Sequence, residues 1–120
     1  MAASDTRTDQ AEAREKTQAD RKQRIWQVIT AIPAGRVCSY GGVAKLAGLG
    51  NGARQTAWAL RYLPRDTKIP WHRVINAQGK ISMPEGSRGY LEQRRRLRKE
   101  GVTFNDNGRL ASKACWWDGN

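Results

Sequence analysis

The 120-residue chain holds a single Phe, a single His and two Cys, at positions 38 and 115. No apolar run approaches the 18 or more residues that a membrane-crossing helix needs. The N-terminus lacks the apolar core of a secretory signal. Two cysteines cannot staple a disulfide scaffold, and their scarcity fits a reducing, cytoplasmic setting. One His and two distant Cys, with no clustered carboxylates, leave a structural zinc ion without a ligand set, and no cofactor motif is present. Leu, Ile, Val and Phe together number 19 of 120, a thin supply for a core. Five Trp offset this, because each can bury a large apolar area. The length allows one domain.

Acidic residues are also scarce: 11, against 22 Lys plus Arg, for a net charge of +11. The imbalance is uneven. Residues 1–20 carry three basic and five acidic groups and no large apolar residue beyond Met1, which predicts a disordered tail. The other 100 residues carry a net +13. That density points to a polyanionic partner, since neutralised phosphates release counterions.

Ile25, Val28, Ile29 and Ile32 recur at i, i+3, i+4 and i+7, which predicts an amphipathic helix over 21–32, stopped by Pro33 and a turn at Ala34-Gly35. Arg36–Tyr40 reads as extended. A short helix over 41–47 follows, with Ser39 as its N-cap, then a glycine-rich turn at 48–52 and a third helix over 53–63 closed by Pro64. The glycine spacing does not fit a dinucleotide-binding fingerprint. Val74–Asn76 and Lys80–Ser82, flanking Ala77-Gln78-Gly79, predict a small β-hairpin. A strongly basic helix over 90–100 ends at Gly101. Val102–Phe104 alternates like a strand, 105–108 reads as a turn, and Cys115-Trp116-Trp117 lies near the end. The expected fold is mainly α with a small β-hairpin: a helix-turn-helix domain over 21–104, with a C-terminal extension over 105–120. In such a unit the second helix enters a DNA groove. Trp26 and Trp58 fall at core-like helix positions. Trp116-Trp117 could equally pack on the domain or form an exposed apolar spot for a partner.

Pro70-Trp71-His72-Arg73-Val74 resembles the Pro-Cys-His-Arg-Val motif of the O6-alkylguanine-DNA alkyltransferases, with Trp in place of Cys. Gly35-Arg36-Val37-Cys38-Ser39-Tyr40-Gly41 is similar to that family's segment ahead of its helix-turn-helix. Ala53-Arg54-Gln55 through Leu60-Arg61 is similar to its recognition helix, and Leu97–Gly101 to its closing helix. The resemblance covers roughly residues 21–104. It implies the winged-helix, helix-turn-helix fold of the family's C-terminal domain. Leu63 or a neighbour stands where the family has a hinge Asn, and only about 20 tail residues precede the first helix where the family has a further domain.

In the family a thiolate takes the alkyl group, and a His and a Glu relay its proton; the matching positions here are His72 and Glu100. An indole offers no lone pair for displacement and donates only N–H. Trp71 can instead stack on, or line a pocket for, a flipped base. The chain thus resembles the alkyltransferase-like subfamily. That resemblance implies a monomeric, non-enzymatic sensor of O6-alkylguanine in double-stranded DNA, which directs the lesion to nucleotide excision repair proteins. It also implies that Tyr40 rotates the 3′ phosphate of the target nucleotide and that Arg54 fills the vacated gap, for which a planar guanidinium is suited. Ser87 and Arg88 fall near the lesion-binding loop. Gln55 and Arg61 share the recognition helix with Arg54. Arg73 is either a DNA contact or a buried ion pair. The run Arg94-Arg95-Arg96, with Arg98 and Lys99, reads as a solvated face. Two alternatives stay open: an active alkyltransferase using Cys38 or Cys115, and a regulator reading undamaged sequence through the third helix.

Overall fold

The computed structural model describes the backbone of residues 2–50 and 52–120, and the side chains of 12–50 and 52–120. The first helix, α1, runs Ala2–Ala31. It begins well before the expected boundary at residue 21, so residues 2–20 of the segment expected as a tail form its polar N-terminal part, Met1 lying outside the described residues. Side chains from Glu12 to Arg21 are all exposed. Beyond them the predicted stripe appears: Ile25, Ile29 and Ile32 are buried, and Pro33 follows the helix end. Trp26 and Trp58 pack against this core, as expected, and the Trp26 indole N–H donates to the Ala59 carbonyl at 3.0 Å.

Strand β1 (Cys38–Ser39) leads into α2 (Tyr40–Leu46). Ser39 caps that helix, as predicted, its Oγ accepting from the Gly42 amide at 2.9 Å. A Cβ on Gly42 would lie 3.0 Å from the Ser39 Oγ and the Cys38 Sγ, so glycine makes room for the cap. The helix closes with a left-handed Gly48: its amide bonds the Lys45 carbonyl, and the Leu49 amide bonds Ala44. Helix α3 (Ala53–Arg61) follows. Its buried Thr56 donates to the Tyr40 carbonyl at 2.9 Å, locking the two helices at one corner.

The predicted hairpin does not form. Strand β2 (Val74–Ile75) pairs in parallel with β1, Cys38 opposite Val74 and Ser39 opposite Ile75. Both β2 residues are buried, which suits a parallel pair covered on both faces. The turn expected at 77–79 is real, with the Asn76 amide bonded to the Lys80 carbonyl, but Lys80–Ser82 form no strand, and the Gly79 carbonyl accepts from the Leu110 amide. Helix α4 (Arg88–Lys99) starts two residues before the predicted position, and Gly101 ends it as expected. The C-terminal extension packs on the domain. The Val37 amide bonds the Cys115 carbonyl, the Trp117 amide bonds Val37, each at 2.8 Å, and Trp117 is buried in the main core. Trp116 lies on a second cluster built around Val37, Ile75, Leu97 and Val102.

Candidate nucleic-acid interface

Tyr40 occupies the first position of α2, and Trp71 opens a 3-10 turn, Trp71–Arg73, that feeds β2. The parallel pairing of β1 with β2 therefore brings these distant residues to one place. Both line a cavity of about 620 Å³. Its wall is mainly apolar, with Leu60, Leu63 and Met83, and two arginines, Arg61 and Arg65, contribute to it. The Tyr40 hydroxyl lies 2.7 Å from the Ser82 hydroxyl, which also lines the cavity.

Arg54 and Arg61 are exposed on α3, at its first and last turns. Gln55 turns back toward the helix start, with its amide nitrogen beside Gly52 and its Oε1 buried without a partner. Ser87 does not line the cavity. It is the N-cap of α4, accepting from the Tyr90 amide at 3.3 Å. Arg88, exposed in the first turn of α4, is also absent from the cavity wall. From the loop after β2, the residues that reach it are Ser82 and Met83. A Ser three residues before a helical amide is a capping signal, and it was legible at Ser87.

Arg73 forms the ion pair that was one of its two expected roles. Its Nε donates to Glu100 at 3.0 Å, its Nη2 to the same carboxylate, and its Nη1 to the Ile32 carbonyl at 2.7 Å. His72 Nε2 donates to Glu100 Oε2 at 3.1 Å. A carboxylate only accepts, so Nε2 holds the proton and Nδ1, buried without a partner, is bare. Burial pushes the His72 pKa down, and Arg73 and Arg96 add to this against the pull of Glu100. Burial alone would raise the Glu100 pKa, but the hydrogen bonds of Arg73 and His72 outweigh it and hold the carboxyl at about 2. Behind this group stands Gln93, buried and donating to the His72 and Val74 carbonyls at 3.1 and 2.8 Å.

Neither cysteine faces the cavity. Cys38 is buried in the main core, where desolvation pushes its thiol up to about 11, with the Ser39 backbone only partly offsetting it. Cys115 packs against the second cluster.

A family model for the 6-O-methylguanine DNA methyltransferase DNA-binding domain matches residues 20–102. The chain belongs to this family. Among its relatives, the DNA base-flipping protein of Escherichia coli is 43% identical over 98 residues, covering 80% of this chain and 73% of that one. Alkyltransferase-like protein 1 of Schizosaccharomyces pombe is 40% identical over 79 residues, covering 66% and 73%. The crystal structure of S. pombe Atl1 in complex with damaged DNA containing O6-carboxymethylguanine superposes with a TM-score of 0.73 at 34% identity, over 82% of this chain and 95% of that one. For Mycobacterium tuberculosis OGT in complex with DNA the TM-score is 0.58 at 34% identity, over 66% and 48%. Within the family's fold, this member carries Trp71 in the Pro-x-His-Arg-Val motif. Among the described residues no helix is long and apolar enough to cross a membrane.

Proposed function

We propose that the protein is a non-enzymatic DNA damage sensor that flips O6-alkylguanine out of the duplex into the cavity between Tyr40 and Trp71 and leaves the alkyl group in place. The observation that carries this reading is Trp71 itself, an indole on the wall of an apolar cavity large enough for a purine, at the position of the family's reactive cysteine. Extrusion costs a few kcal/mol, which stacking on Trp71 and insertion of Arg54 into the vacated gap would offset. The high positive charge supplies the salt-sensitive background affinity. The relatives known as base-flipping and alkyltransferase-like proteins support the same reading. Handover to nucleotide excision repair proteins, with the sensor acting as a monomer, rests on the family resemblance.

Without a thiolate at the cavity, the sensor has no acceptor for a one-step transfer. Cys38 is buried in the core with its thiol held protonated, and Cys115 lies outside the cavity. The test is to incubate the protein with an O6-methylguanine duplex and measure both components by mass. The lesion should be recovered intact and the protein unchanged. A gain of about 14 Da on the protein, the mass of a transferred methyl in a thioether, would make it an alkyltransferase instead.

A further inference from the structure

Trp71 lines the cavity of about 620 Å³, while its neighbour in the chain, His72, lines a separate shallow hollow of about 280 Å³ together with Glu100 and three basic side chains of α4, Arg95, Arg96 and Lys99. The Arg96 guanidinium carbon lies over the Trp71 ring, 5.2 Å from its centre. Arg96 lines the hollow and is not among the residues lining the cavity. Glu92, one turn earlier on α4, fixes it there: its Oε1 accepts from Arg96 Nε at 2.8 Å. The His72 ring meets the indole edge-on, with centroids 6.0 Å apart at 88°.

We infer that Arg96, held by Glu92, is a positioning residue for lesion recognition: it clamps the Trp71 indole from behind and prepares the opposite face to stack on a flipped alkylated purine. This rests on the proposed use of the cavity. The physics is that of the ring quadrupole. Each indole face is electron-rich, so a second electron-rich ring stacked on it meets repulsion between π clouds. A guanidinium over one face draws that density toward itself and lessens the repulsion on the other. The clamp also fixes the ring before the base arrives, which reduces the ordering cost of binding. Arg96 thus acts through Trp71, without touching the base.

The test measures affinities for two duplexes, identical except for O6-methylguanine in place of one guanine, together with the salt slope on the undamaged one. The proteins are the wild type, Arg96→Met, Glu92→Gln, Trp71→Ala and the Arg96→Met/Trp71→Ala double variant. Arg96→Met should lower the lesion preference roughly five-fold, the loss expected of one cation–π contact, and leave the salt slope unchanged. Glu92→Gln should lower it less. In the Trp71→Ala background Arg96→Met should change nothing further. If a selective wild type keeps its preference in Arg96→Met, the inference fails while the sensor reading stands. Equal weakening on both duplexes, with the salt slope reduced by about one, would make Arg96 a plain phosphate contact and overturn the clamp. A loss of preference that persists in the Trp71→Ala background would also overturn it. A wild type with no preference for the lesion would remove the sensor reading, and the clamp with it.

Discussion

The hydroxyls of Tyr40 and Ser82, 42 positions apart in the chain, meet at 2.7 Å and tie the start of α2 to the loop after β2 beside the cavity. The Tyr40 hydroxyl can accept from Ser82 and still donate to a phosphate oxygen. Tyr40→Phe and Ser82→Ala each remove the bond between the two hydroxyls, and each should cost about 0.5–1 kcal/mol in urea unfolding. Their DNA affinities should differ. On the phosphate role that the family resemblance implies for Tyr40, Tyr40→Phe should weaken binding, whereas Ser82→Ala should bind as well as the wild type. Equal binding by the two variants would remove the phosphate role from Tyr40.

Glu100 ties Arg73 and His72 together, and its replacement should be felt in stability. Glu100→Gln leaves a half-buried Arg73 guanidinium without its counter-charge, at a cost of about 2–4 kcal/mol in chemical denaturation. An effect under 0.5 kcal/mol would show the pair to be as weak as an exposed one.

The same group predicts acid sensitivity in two stages. The His72 pKa is lowered in the folded state, so the unfolded chain takes up the proton first. The stability it contributes is fully present above pH 6.5 and declines as pH falls below that value. The Glu100 pKa is lowered from 4.5 to about 2, so its contribution holds above pH 4.5 and is lost between there and pH 2. Thermal melting should therefore fall from pH 7 to pH 5, and His72→Asn should flatten that first stage alone. A wild-type melting temperature that is constant between pH 7 and pH 5 would contradict the assignment.

Trp117 anchors the C-terminal extension in the main core, and Arg36 holds the neighbouring Cys115 and Trp116 carbonyls. Trp117→Ala should cost about 3–5 kcal/mol, read from the urea midpoint. A loss below 1 kcal/mol would mean that the extension is dispensable to the fold.

Cys38, buried and with its pKa raised to about 11, should resist iodoacetamide at pH 8 in the native protein and react once the chain is unfolded, as peptide mass mapping would show. Rapid native labelling of Cys38 would place it nearer solvent than the fold does.

Much of the helical frame was legible because its signals are local. The isoleucines of α1 repeat at helical spacing, Ser39 stands where a cap is needed, and Gly101 stands where α4 must turn left-handed. The misread parts depend on distant partners. Val74-Ile75 has the look of half a hairpin, because the turn residues beside it are real, but its partner lies 36 positions upstream in β1. Ser87 falls near the lesion loop by family resemblance, yet its local signal, a Ser three residues before Tyr90, is that of a helix cap. The Arg96–Trp71 contact joins α4 to the motif across 25 positions, and no local pattern marks it. The even choice at Trp116-Trp117 is resolved by backbone bonds to Val37 that no residue type announces.

The most direct test of the sensor is fluorescence anisotropy at fixed salt, with the wild type and Trp71→Ala each titrated onto duplexes that differ only by O6-methylguanine in place of one guanine. Strong preference of the wild type for the lesion, reduced about ten-fold or more by Trp71→Ala, is the expected result, since one base–aromatic stack contributes about 1–3 kcal/mol. Equal affinity of the wild type for the two duplexes would contradict it and leave a general DNA binder on the family's scaffold.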